Sequence, residues 1–264
     1  MKENKRNLLE NRLRKRLRVL ELKSYAAYWH MLNSPISRRK EMKHFLNEIT
    51  TNESYFQRSI NHFEILTKHI LPQYQKQHKT DIRIWSAGCS TGEEPHDLAM
   101  ILHEFNSKNS NYFDFKIFAT DISLEVLDFA KQGEYADRKI AKIPTYLRKK
   151  YFTEVSKENT VLEFAKDIIQ VKPQLQEKIE FTQLNLLSSH FFSNIDLLFC
   201  RNVMIYFDIA TQKKVVNRFA QSLSSDGYLF VGHSETLRIT ETNLDSVRFE
   251  NGTIYKAKNS KNEY

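Results

Sequence analysis

The sequence predicts an α/β fold: a doubly wound, Rossmann-like sheet with a small all-α domain in front of it and a small antiparallel β insertion within it. Three observations carry this expectation. Residues 1–50 show only helical apolar periodicity, and from residue 82 onward buried-strand runs alternate with helical patterns. One of those strands, Ile82-Arg83-Ile84-Trp85, also feeds a small-residue turn containing Gly88 and Gly92 into an acidic helix start at Glu93-Glu94-Pro95. The 264 residues, 41% hydrophobic and 27% charged, have globular composition and can bury a sizeable core. Domains are placed at 1–72 (helical, with a linker) and 73–264 (α/β, with the insertion at about 145–180).

In chain order, residues 1 to 22 place Leu9, Leu13, Leu17 and Leu20 on one face and Arg12, Arg14, Lys15, Arg16 and Arg18 around it, an amphipathic basic helix. Residues 1–50 hold thirteen Lys and Arg against five acids, an excess equal to the net charge of the whole chain, +8. Such a helix suits nucleic acid, an anionic membrane or an acidic protein surface, or is simply a solvated face. A second helix from Ser24 to Leu32 stops at Asn33-Ser34-Pro35, and a third runs from Ser37 through Ile49. Asn52, Ser54 and Arg58 either project polar groups toward a ligand or cap the next helix, which carries Phe63, Ile65, Leu66, Ile70 and Leu71; Pro72 to Thr80 is read as a linker.

The turn after the first strand is the candidate cofactor loop. Its glycines let backbone approach a ligand and the helix start offers free N–H groups. It lacks the Gly-x-Gly-x-x-Gly fingerprint and the Lys of a phosphate loop, and Glu93 and Glu94 would repel phosphate. A ligand bearing a cationic ammonium or sulfonium group, such as S-adenosylmethionine, fits better. The second strand, Phe115 to Thr120, delivers Asp121, either an acceptor for ribose hydroxyls or a helix cap. A short helix is expected at Tyr146–Phe152 and short strands at Val161–Phe164, Ile168–Val171 and Ile179–Phe181, the last three forming the insertion. The buried-strand run Ile195–Cys200 carries Asn202 and Tyr206 to the carboxyl edge of the sheet, where ligands of open α/β sheets bind. A helix follows from Ile209 to Leu223. Asp226-Gly227 turns into a strand ending at Gly232-His233, where His233 and Glu235 suit either acid–base work or structural hydrogen bonding. An Asn251-Gly252 hairpin closes the sheet.

No apolar run approaches the ~20 residues of a membrane span, and Cys89 and Cys200 form no Cys-x-x-Cys pair, so a cytoplasmic protein without structural zinc or disulfides is expected.

Six segments together carry a resemblance. They are Thr51-Asn52-x-Ser54-x-Phe56-x-Arg58, Trp85-Ser86-Ala87 with Ser90-Thr91-Gly92-Glu93-Glu94-Pro95, Ala119-Thr120-Asp121-Ile122, Asn185-Leu186-Leu187, Cys200 through Asp208, and Gly232-His233-Ser234-Glu235. In this order, over most of residues 8–256, the chain resembles the chemotaxis receptor methyltransferases of the CheR type. The resemblance implies methyl-esterification of chemoreceptor glutamates for sensory adaptation, with S-adenosylmethionine as cofactor and S-adenosylhomocysteine as product. It implies cofactor contacts from Asn52, Ser54, Arg58, Glu94, Asp121, Asn185, Leu186, Arg201 and Asn202, beside the backbone approach read above at Gly88, and it places Arg58 and Tyr206 beside the transferred methyl. It implies that the basic helix, through Arg12, Arg14, Lys15, Arg16 and Arg18, docks on the cytoplasmic helices of receptors. No nucleic acid, metal or membrane insertion is expected. Alternatives are a methyltransferase of the same build acting on another protein or acid, and a cofactor-binding signalling module without turnover. The family's aromatic residue before the motif arginine is Gln57 here, the helical module lacks the family's first helix, and the insertion lacks the glycines that some members use to grip a receptor's C-terminal peptide.

Overall fold

The computed structural model describes residues 3–109, 112–155, 167–233, 235, 237 and 242–258. Helices α1 (Glu3–Val19), α2 (Tyr25–Asn33) and α3 (Arg38–Ile49) form the N-terminal module. Ser24 caps α2, its Oγ accepting from the Ala27 N–H at 3.1 Å. Leu13 and Leu17, one turn apart on α1, meet Tyr28, Leu32, Met42 and Phe45 in a small core. Two of the basic residues of α1 turn into this module. Arg16 donates to both carboxylate oxygens of buried Glu41, at 2.8 and 2.7 Å, and the Tyr28 hydroxyl donates to the same carboxylate at 2.7 Å. Arg12 donates to the Ile49 carbonyl at 2.7 Å and to Thr51 Oγ1 at 2.6 Å, fixing the exit of α3. Arg14, Lys15 and Arg18 face solvent.

Next comes one continuous helix, α4 (Ile60–Ile65), a π-type turn (Leu66–Ile70) and α5 (Leu71–Lys76). The linker expected from Pro72 is instead helical as far as Lys76. Pro72 lies in the first turn of α5, directly after the wide turn in which the Leu71 N–H donates to the Leu66 carbonyl, where a missing N–H and the proline ring are tolerated. Phe63, Ile65, Leu66, Ile70 and Leu71 pack with Ile84, Phe199 and Phe230 in the main core, so the expected boundary at residue 72 falls within a helix that packs on the sheet.

The remainder runs β1 (Asp81–Ala87), α6 (Glu93–Lys108), β2 (Asp114–Asp121), α7 (Leu124–Gln132), β3 (Glu134–Ala136), a 3-10 turn (Asp137–Ile140), α8 (Thr145–Tyr151), β4 (Phe152–Val155), β5 (Ile168–Val171), α9 (Pro173–Gln176), β6 (Ile179–Gln183), β7 (Ile195–Cys200), α10 (Ile209–Ser222), β8 (Leu223–Val231), β9 (Leu244–Phe249) and β10 (Gly252–Ala257). The main sheet has the order β6-β2-β1-β7-β8-β10-β9, parallel except for β10, which runs antiparallel to both neighbours. Alternate residues of each central strand feed cores on opposite faces: Ile84, Leu197 and Phe199 on one, Trp85, Leu198 and Cys200 on the other.

Two expectations are corrected. Ile179–Gln183 is an edge strand of the main sheet, in register with Ile117–Asp121, because Ile179 and Phe181 pack with Ala119 and Leu127. The small antiparallel sheet is instead β3-β5-β4, and it starts at Glu134, where left-handed Gly133 ends α7. Asp226-Gly227 does not begin the last parallel strand: Leu223 already pairs with Ile195, and residues 224–227 are absorbed in a register irregularity before Tyr228 pairs with Leu197. The strand expected at Val161–Phe164 lies outside the described residues. Among the described residues no helix is long and apolar enough to cross a membrane.

Candidate active site

The site lies at the carboxyl edge of β1, β2 and β7, the edge at which a parallel sheet leaves its loops free. Gly88 has φ +84°, and a Cβ there would come within 2.4 Å of Val203 Cγ2, so only glycine lets the loop after β1 close against the segment after β7. Ser90 adopts φ +50° and donates its N–H to Asp121 Oδ2 at 2.9 Å, while Asp121 Oδ1 accepts from the Ser123 N–H at 3.0 Å. Asp121 is thus both a cap for the following turn and a brace for the glycine loop, and each oxygen keeps a second lone pair. Burial raises its carboxyl, against the pull of those N–H groups.

In the first turn of α6, Glu94 accepts from Ser86 Oγ at 2.6 Å and from Arg201 Nη1 at 2.9 Å. The other amino group of Arg201 donates to the carbonyl of Arg58, and its Nε is buried without a partner among the described residues. Beyond Arg201, Asn202 has φ +61°. That conformation is held by Glu235, whose carboxylate accepts the N–H groups of Asn202 and Gly232 at 2.7 Å each and of Ile205 at 3.2 Å. Of the two readings for Glu235, this geometry is that of a structural brace. His233 lies over the buried ring of His62, centroids 5.2 Å apart. Asn185 accepts the Leu187 N–H at 2.9 Å, shaping the rim after β6.

Residues 50–59 form a strap across the opening, and its backbone is held from below. Ser90 Oγ donates to the Asn52 carbonyl at 2.8 Å. Lys139 Nζ joins the Ser54 carbonyl at 3.0 Å to Glu93, fully buried, at 2.6 Å. Gln57, at φ +61°, donates from its backbone N–H and its Nε2 to the two oxygens of Asp97, at 2.6 and 2.9 Å. Phe56 anchors the centre, edge-on to Tyr135 at 4.9 Å and to Phe152 at 5.7 Å. Arg58 donates to the Glu53 carbonyl at 2.9 Å, its guanidinium 5.4 Å from the Tyr55 ring centre. Burial pushes the Asp97 carboxyl up to about 8, with the Gln57 donors and Arg201 pulling the other way.

Strap, loop and rim enclose a cavity of about 370 Å³, within the roughly 300–1,000 Å³ of small-ligand sites. All the cofactor and catalytic residues predicted from the sequence line it: Asn52, Ser54 and Arg58 from the strap, Gly88 and Glu94 from the first loop, Asp121 after β2, Asn185 and Leu186 after β6, and Arg201, Asn202 and Tyr206 after β7. The donor set fits a cationic, ribose-bearing ligand: acceptors at Glu94 and Asp121, a backbone approach at Gly88, and an unpartnered buried nitrogen at Arg201. Tyr206 is 48% exposed, at the mouth. The basic residues of α1 are not part of this cavity. Lys139 and Asp97, which contact the strap across 85 and 40 positions of sequence, and Glu93, which holds Lys139, are not among the residues predicted from the sequence. Cys89 and Cys200 are free thiols, and burial raises both.

Residues 52–253 match the family described as CheR methyltransferase, SAM binding domain, and residues 1–50 match CheR methyltransferase, all-alpha domain. Among curated relatives, the chemotaxis protein methyltransferase of Borreliella burgdorferi is 40% identical over 90% of this chain and 83% of its own length. The probable chemotaxis protein methyltransferase of Rhizobium etli is 36% identical over 89% and 86%. That of Escherichia coli is 35% identical over 88% and 77%.

Proposed function

The chain belongs to the CheR methyltransferase family, and from that premise we propose that it transfers a methyl group from S-adenosylmethionine to glutamate side chains of a chemoreceptor's cytoplasmic helical domain, in the cytoplasm, leaving a methyl ester and S-adenosylhomocysteine. One observation carries the reading: strap, glycine loop and the rim after β7 bring eleven predicted residues around one cavity at the sheet's carboxyl edge.

When bound, S-adenosylmethionine supplies a methyl carbon already activated by its sulfonium. Glu94 and Asp121 supply acceptors for its polar groups, Gly88 admits it against backbone, and Asn52, Ser54, Asn185, Leu186, Arg201 and Asn202 complete the walls. A glutamate has an ordinary pKa of about 4.3, so at neutral pH it enters as carboxylate and no general base is required. The remaining task is alignment, which supplies several kcal/mol when the reacting atoms are held in line. Arg58 orients the incoming carboxylate from the strap, and Tyr206 presents its hydroxyl from the opposite rim.

The test is transfer of labelled methyl to receptor-containing membranes, read as base-labile methanol. Arg58→Ala is expected to lower the rate at least about 100-fold with S-adenosylhomocysteine still bound. Near-normal transfer by that variant removes Arg58 from the chemistry, and an unchanged rate in Tyr206→Phe reduces that hydroxyl to packing. No transfer to receptors, with transfer to another acid, transfers the reading to that substrate.

A further inference from the structure

The strap has an attachment that the site itself does not require. Asp97 is 1% exposed, and a carboxyl group so buried is costly unless its oxygens are hydrogen-bonded. Both of its oxygens accept from Gln57, one from the backbone and one from the side chain. Gln57 in turn adopts a left-handed conformation that non-glycine residues rarely hold without compensation. The pair is set between the two parts that must register. Gln57 lies between anchored Phe56 and Arg58, and Asp97 lies one turn along α6 from Glu94.

We propose that Gln57 and Asp97 form a latch that locks the strap to the cofactor helix and so positions Arg58 and the cavity-facing backbone of residues 52–58. Gln57 is a positioning residue that acts through the strap, while Asp97 holds Gln57 and also lines the cavity. The inference rests on the cavity being the donor site. Failure of the parent protein to bind S-adenosylhomocysteine would defeat that reading, whereas normal binding by the parent with indifferent variants defeats the latch alone.

The experiment is titration calorimetry with S-adenosylhomocysteine, with methyl-transfer kinetics and thermal melts on the same full-length proteins. Gln57→Glu, titrated above the raised Asp97 value so that both side chains are ionised, sets a second carboxylate where a 2.9 Å hydrogen bond now lies, and Kd is expected to rise about tenfold or more. Adding Asp97→Asn should bring it back to within about threefold, because the new amide donates to the side chain at 57 while its oxygen still accepts the backbone N–H. Gln57→Met, similar in length but without donors, should raise KM for the donor about tenfold and lower kcat as Arg58 loses its position, though by less than Arg58→Ala does. Its melting temperature should fall by a few degrees, the cost of the Asp97 oxygen left without a donor. An unchanged Kd in Gln57→Met, no rescue by Asp97→Asn, or a rise in Kd confined to variants already partly unfolded at the assay temperature would each overturn the latch.

Discussion

Arg201 Nη1 donates to Glu94 Oε2 at 2.9 Å, linking the end of β7 to the first turn of α6 across the base of the cavity. The Arg201 side chain is 2% exposed and that of Glu94 15%, so neither charge is screened by water. Removing one partner from a buried pair leaves an uncompensated charge and costs about 3–5 kcal/mol, more than the pair itself is worth. Arg201→Met should therefore destabilise by about that amount in denaturant melts. The double variant Arg201→Met/Glu94→Gln should recover part of the loss. Additive losses would show that the two side chains are not coupled.

Glu235 separates structural from chemical roles. Its carboxylate gathers three backbone N–H groups and so fixes Asn202 in its left-handed conformation. Glu235→Gln turns an amide N–H₂ toward those donors and should cost about 1–3 kcal/mol in stability, with weaker donor binding as the Asn202 turn relaxes. A general base would behave differently: turnover would fall while melting and affinity stayed as in the parent.

These two residues illustrate what was legible in the sequence. The strand, glycine turn and helix around Gly88 and Glu94 are a local pattern, and Asp121 at the end of the next strand follows from the same logic. Alternation marks Ile179–Phe181 as a strand but does not say which sheet takes it; that depends on Leu127 and Ala119, some 50 to 60 residues away. Pro72 reads as a stop because the π-type turn that accommodates it has no composition signal. The attachments of the strap, Gln57 to Asp97 and Lys139 to Glu93, join elements 40 and 46 positions apart, beyond any periodicity.

The basic helix divides by face. Arg16 is 14% exposed and its hydrogen bonds to Glu41 raise the guanidinium still further above its ordinary value. Burial alone would raise the Glu41 carboxyl, but hydrogen bonds from Arg16 and Tyr28 outweigh it and hold it below the usual range. That stability is present above the ordinary carboxylate pKa and is lost as pH falls through the lowered one. Arg16→Met should destabilise the module by about 3 kcal/mol. Reversing the exposed charges in Arg14→Glu/Lys15→Glu/Arg18→Glu should leave melting nearly unchanged and weaken sedimentation with receptor membranes at low salt. Equal sedimentation by parent and triple variant would assign docking to another surface.

Acid sensitivity has an identifiable source in two buried histidines. Burial, with Arg201 and His233 nearby, lowers His62 to about 3, and burial lowers His96 to about 4. An unfolded histidine takes its proton near 6.5, so between that pH and the lowered values the unfolded chain binds more protons than the folded one, and stability must fall as pH falls. At pH 5 each histidine accounts for about 2 kcal/mol of that loss. Asp97, held near 8, works in the opposite sense, because its folded carboxyl keeps a proton that the unfolded one has released. It is common to the parent and to a histidine variant, so their difference cancels it. His62 has no partner at Nδ1 among the described residues and packs edge-on to Phe230 at 5.7 Å, so His62→Phe removes a titrating group without breaking a hydrogen bond there. At pH 7 its stability should lie within about 1 kcal/mol of the parent's. Between pH 6.5 and 5 it should lose about 2 kcal/mol less than the parent, the remaining acid sensitivity belonging to His96. Parallel stability curves for the two proteins over that range would mean that His62 takes up its proton in the folded state at an ordinary pH.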